Sequence, residues 1–187
     1  MKKKESISQL GYVLLGLIAM KPSNGYELRK IFESTPMGRY SSSPGAIYPA
    51  LKKLQVAGAV ATRQTTGKTA RSVQHLTVTR AGKEALHAWL RILPSKDDIG
   101  RDFDNVLLKF SYLGLLQDEK FSLQFLEAME TAITQNQDSV QQFVSTMPAE
   151  MPLHGKLTLQ YGLDVMRTQL QWVQHAKQDL RDKDNDA

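Results

Sequence analysis

The spacing of apolar residues changes several times along the chain, and each change marks an element. Over residues 6–20, Ile7, Leu10, Leu14, Leu17 and Ile18 recur at helical spacing while Val13 and Leu15 widen the stripe, predicting a largely buried helix that Pro22 ends. Asn24 and Glu27 then have the spacing of a capping box, opening a second helix through Ser34 that Thr35-Pro36-Met37-Gly38 closes. A third helix begins at Ser43-Pro44, with Ser as N-cap and Pro at the first helical position, and runs to residue 57 with Gly58 as its C′ residue. Ile47, Ala50, Leu51 and Leu54 share one face of it. Gly45, Tyr48, Pro49 and Lys52 share another, with Lys53 beside them.

From Ala59 the period falls to two. Val60, Thr62, Gln64 and Thr66 alternate with Ala61, Arg63 and Thr65, a polar turn follows over residues 67–70, and residues 72–78 read as a return strand. Thr79 caps a fourth helix carrying Ala85, Leu86, Trp89, Leu90 and Leu93. Three helices, a hairpin and a helix are the order of a winged helix. Pro94-Ser95-Lys96-Asp97-Asp98 reads as a polar linker, followed by helical segments over about residues 101–116, 118–147 and 153–181. The second carries Leu126, Met129, Ile133, Asn136, Val140, Phe143 and Met147 at spacings of three and four. The third repeats the device with Leu159, Leu163, Met166, Leu170, Val173, Lys177 and Leu180. Two long seams joined by the turn at residues 148–152 predict an antiparallel hairpin packed like a coiled coil. Each is too long to be covered within one chain, so dimerisation through Leu159, Leu163, Met166, Leu170, Val173 and Leu180 is expected, the alternative being a closed bundle.

Charge separates along the same boundary. Residues 1–96 hold 16 Lys/Arg against 4 Asp/Glu, whereas residues 97–187 hold 8 against 15. The first part attracts a polyanion and the second repels one. The absence of cysteine excludes disulfides, thiolate catalysis and cysteine-ligated zinc. His75, His87, His154 and His175 show no metal-ligand spacing. Thr66-Gly67-Lys68-Thr69 ends like a phosphate-binding loop, but position 62 is Thr where that loop needs Gly, and a strand follows where it needs a helix. The chemistry of an enzyme is missing, and no cofactor or metal is expected. Met1-Lys2-Lys3-Lys4 ahead of the apolar run at residues 10–20 resembles a signal peptide superficially. No small-residue cleavage site follows, and the run is too short to span a bilayer, so a cytoplasmic protein without a membrane partner is expected.

The start of the third helix is the most informative stretch. Free N–H groups at a helix N-terminus bind phosphate, Ser41, Ser42 and Ser43 add hydroxyl donors, and Gly45 and Ala46 permit close backbone approach. Tyr48 projects one turn further on, and Lys52 and Lys53 supply charge toward a nucleic-acid backbone. Residues 43–54, followed by Gly58, resemble the recognition-helix signature of the PadR family of transcriptional regulators. Gly25-Tyr26-Glu27-Leu28 is similar to that family's second-helix motif, and Val78-Thr79-Arg80-Ala81-Gly82 to its strand-to-helix motif, although Leu76 stands where the family usually has an aromatic residue. Asp102-Phe103, Leu107-Leu108-Lys109 and Trp172 resemble the long subgroup with a helical C-terminal domain.

The reading is a mainly α protein: an N-terminal winged helix-turn-helix with a β-hairpin wing over residues 1–94, then a helical dimerisation domain over residues 97–187. Double-stranded DNA is the expected partner, met by Asn24, Tyr26, Ser42, Ser43, Pro44, Gly45, Ala46, Tyr48, Pro49, Lys52 and Lys53, with Lys68 and Arg71 at the wing tip. A twofold dimer implies a palindromic operator. The resemblance implies a repressor released by a small-molecule effector, of which phenolic acids are the family's best-known class, bound between the winged helix and the C-terminal helices. The alternatives are an activator without an effector and a winged-helix protein-interaction module.

Overall fold

The computed structural model describes residues 6–34, 44–65, 73–147 and 151–185. They fall into two compact units, Met1–Arg91 and Ile92–Ala187, each taken by itself. Among the described residues no helix is long and apolar enough to cross a membrane.

In the first unit, α1 (Gln9–Met20) starts where the Ser8 hydroxyl accepts from the Gly11 amide, and buries Val13, Leu14, Leu15 and Ile18. α2 (Gly25–Ser34) opens with the anticipated capping box. The Glu27 amide donates to Asn24 Oδ1 (3.0 Å) and the Asn24 amide to Glu27 Oε2 (2.8 Å), so two otherwise orphaned donors are satisfied. α3 (Pro44–Val56) buries Ile47, Ala50, Leu51 and Leu54. It ends in a Schellman motif: Gly58 takes a left-handed φ of 69°, its amide reaches the Gln55 carbonyl, and the Ala59 amide reaches that of Leu54.

The chain reversal feeds β1 (Val60–Thr65), antiparallel to β2 (Val73–Val78) with Val60 opposite Val78 and Thr62 opposite Leu76. A feature with no periodic trace in the sequence extends this hairpin. The Leu76 amide donates to the carbonyl of buried Ser23, so the segment between α1 and α2 forms a one-residue third strand. α4 (Arg80–Leu90) is capped by Thr79, whose hydroxyl accepts from the Gly82 amide. Its Trp89 stacks on Tyr12 with ring centroids 4.9 Å apart.

The second unit departs from expectation at its start. Of the stretch read as a polar linker, Lys96, Asp97 and Asp98 are already helical: α5 spans Lys96–Ser111. Ser95 and Asp98 form a capping box, and the Ser95 hydroxyl and amide together hold the Asp98 carboxyl below its usual range. α5 is broken at Asp102 (φ −156°, ψ 72°), whose carboxylate caps the following turn by accepting from the Asn105 amide. Lys109, further along, donates to the Ile92 carbonyl (2.6 Å). Burial depresses its pKa to about 8. A 3₁₀ turn (Leu113–Leu116) leads into α6 (Glu119–Ser145), and α7 (Leu153–Asn185) returns antiparallel to it. The core gathers Val106, Tyr112, Phe125, Leu126, Met129, Ile133 and Val173, and Trp172 meets Phe110 edge-on.

Candidate nucleic-acid interface

α3 lies with its apolar face wholly inside the first unit, and this orientation decides what it shows outside. Gly45, Tyr48, Pro49, Lys52 and Lys53 are exposed and Ala46 is half-buried, so the face anticipated for contact is the one presented to solvent. Ser42 and Ser43 lie outside the described residues, as do Lys68 and Arg71; Pro44 is described only as the first residue of α3. Tyr48 is 48% exposed, and one edge of its ring rests against the start of α2.

α2 brings two of the expected contact residues to its start. The carbonyl oxygen of Asn24's side chain is engaged in capping, which assigns it a structural task. Tyr26 stands 63% exposed with the Arg29 guanidinium 5.9 Å from its ring centroid, and Arg29 also pairs with Glu33 at 3.0 Å. Glu27 is the one acidic group at this end of α2; its carboxylate holds the cap and lies 3.5 Å from His75 Nε2 on β2. Sequence reasoning passed over Arg63, which is exposed on β1 opposite His75. The strand alternation was its available signal, since it sets a cation at an exposed position of the hairpin.

In the second unit the two long stripes separate by depth. Val173 is fully buried against its own chain. Leu159, Leu163, Met166, Leu170 and Leu180 are only half-covered. Phe143, Val144, Leu153, Leu157 and Tyr161 are exposed at the end of the hairpin where α6 runs into α7. α6 and α7 are also joined by a half-buried ion pair, Lys177 Nζ to Glu130 Oε2 at 2.6 Å. The Lys177 hydrogen bond holds the Glu130 carboxyl below its ordinary range. Two open cavities belong to this unit. One, of about 260 Å³, straddles the break in α5 and includes Phe103, Asn136, Tyr161 and Met166. The other, of about 350 Å³, lies among Val144, Met147, Met151, Leu159 and Leu163. Among the described residues no group of three or more His, Asp or Glu is placed to hold a metal ion.

Residues 14–88 match the Transcriptional regulator PadR-like family. A Bacillus subtilis protein named negative transcriptional regulator PadR is 30% identical over 122 residues, which are 65% of either chain. Escherichia coli transcriptional regulator YqjI is 39% identical over 59 residues, 32% of this chain and 28% of that one. The alignments thus span less than two thirds of both relatives. Among solved structures, Bacillus subtilis PadR in complex with operator DNA superimposes over 92% of this chain and 99% of that one, at 23% identity and a TM-score of 0.41.

Proposed function

We propose that this chain, whose residues 14–88 match the PadR-like family of transcriptional regulators, is a dimeric repressor that binds duplex DNA through the exposed face of α3. The division of α3 carries this reading. Four apolar side chains lock it into the first unit, while an aromatic ring and two lysines stand free of the core on the opposite side. A helix so anchored enters a major groove without disturbing its own fold. The excess of cations in residues 1–96 supplies the sequence-independent part of affinity. Ser42, Ser43, Lys68 and Arg71 belong to the same proposed contact surface.

Dimerisation is supported by the apolar residues that the second unit leaves uncovered, and a twofold dimer calls for a palindromic operator. Repression is supported by the name of the Bacillus subtilis relative, a negative regulator. Release by a small effector, of the phenolic-acid class that the family resemblance implies, completes the reading.

The test is a set of anisotropy titrations with a duplex selected in vitro by the wild-type protein and with a scrambled duplex, at several salt concentrations. Affinity should fall steeply, by about −0.9 in log K per log salt for each phosphate contacted. Lys52→Ala should weaken both duplexes alike and flatten that slope by about one. A salt-independent response would overturn the assignment of the basic unit to nucleic acid.

A further inference from the structure

α2 begins with a glycine, a poor helix former, in the first turn of an otherwise well-capped helix. Its backbone does not require it, because it lacks the left-handed φ seen at Gly58. The requirement is spatial. A Cβ at position 25 would stand 2.6 Å from Cε1 of Tyr48, 3.3 Å from Cδ1 and 3.4 Å from Cζ, with no other atom as near. Among the described residues outside its own turn, the atoms nearest a side chain there are thus those at the edge of one aromatic ring, and that ring belongs to the exposed face of α3.

We propose that Gly25 is a positioning residue for DNA recognition: its missing side chain lets the Tyr48 ring lie across the start of α2, and this held pose is the one that meets the duplex. The inference rests on the reading of α3 as the DNA-contacting helix. Its physical content is preorganisation. A half-exposed Tyr on a helix surface samples several rotamers, and binding must then restrict them. A ring seated in the notch left by Gly25 has already lost that freedom, and the close approach of α2 and α3 fixes where its hydroxyl end is carried. An alanine at position 25 leaves α2 intact, since Ala suits a helix better than Gly, and displaces the ring instead.

The experiment is a double-mutant cycle on the full chain with Gly25→Ala, Tyr48→Ala and the pair, titrated against the selected and the scrambled duplex. Thermal melts serve as the folding control, because the pair removes the steric conflict altogether. In the DNA-free wild type, nuclear Overhauser contacts should join the Tyr48 ring to the Gly25 α-protons, and the ring resonances should shift in Gly25→Ala. Gly25→Ala should lose about tenfold or more in affinity for the selected duplex and much less for the scrambled one. In the Tyr48→Ala background the same substitution should change neither. Wild-type affinity in a folded Gly25→Ala variant overturns the positioning role and leaves the DNA-binding reading standing. An equal loss with or without the Tyr48 ring overturns it as well, by assigning Gly25 a contact of its own. A wild-type chain that binds neither duplex removes the proposed function and the inference together.

Discussion

The two units solve the burial of apolar surface in opposite ways. In the first, every element closes on its neighbours: α1 is buried almost all round, α3 hides Ile47, Ala50, Leu51 and Leu54, and a single strand pair is joined by the chain at Ser23. What remains outside on α3 includes Tyr48, Lys52, Lys53 and Gln55, with Val56 as the exposed apolar residue at its last position. In the second, α6 and α7 are long enough to outrun their own core, and Phe143, Leu153, Leu157 and Tyr161 stay uncovered. The charge follows the same division, cationic in residues 1–96 and anionic in residues 97–187. A self-sufficient unit has its surface free for a charged ligand, whereas an unfinished one leaves apolar surface open, as the proposed dimer requires.

The sharpest way to break the self-sufficient unit is at its tightest backbone approach. A Cβ on Gly82 would fall 1.9 Å from the Ala59 carbonyl oxygen, which cannot swing away as a side chain can. Gly82→Ala should therefore destabilise the first unit by about 3 kcal/mol, the upper end of overpacking costs, and abolish duplex binding. Urea denaturation followed by Tyr12–Trp89 fluorescence would measure this, and an unchanged midpoint would overturn it.

The unfinished unit should respond to substitution according to depth. Leu157→Glu with Tyr161→Glu should convert a dimer to monomers in light scattering while helicity is retained, raising the dissociation constant by roughly a hundredfold from the apolar area lost. Val173→Ala should do the reverse. Its side chain is fully inside the chain, so it should lower folding stability by about 1–2 kcal/mol and leave the dimer mass unchanged. If Val173→Ala dissociates the dimer and the Glu pair does not, the division between covered and uncovered stripes is inverted.

The smallest effect concerns pH. Glu130 has its pKa lowered by Lys177, so the folded state holds this proton less tightly than the unfolded chain does. Its stabilisation is fully present above the ordinary glutamate value of 4.5 and is lost as pH falls through the lower folded value. Glu130→Gln should flatten the acid limb of a stability-against-pH curve in that window and leave neutral-pH DNA binding untouched. An acid limb identical to wild type would remove this ion pair from the account of how α6 and α7 hold together.

Legibility in the sequence followed the same contrast. Signals that act within a few residues read correctly: the Asn24–Glu27 box, Thr79 as a cap and Gly58 as the left-handed turn. The Ser95–Asp98 box has the same chemistry, but its setting in a run of charges beside Pro94 made it look like a linker. Ser23 was illegible because one bridging residue has no period. The seam spacing identified which residues of α7 share a stripe, yet a helix with several apolar positions does not say which stripe meets its own chain. Val173, expected on the dimer seam, is buried against its own chain, and Leu157, which carried no expectation, is exposed. On α3 the exposed face read through because the buried face is unambiguous, while the contact of Gly25 with Tyr48 depends on how two helices cross.

Lys109 separates a mechanical property from an electrical one. Its nitrogen binds the carbonyl of Ile92, the first residue of the second unit, and its pKa of about 8 lies within reach of ordinary alkaline conditions. A primary amine that has surrendered its proton still has two N–H bonds to donate. Crossing that pH therefore removes a positive charge from an already acidic unit without cutting the tether at Ile92. The anchorage is insulated from alkalinity, and the electrostatic field around it is not.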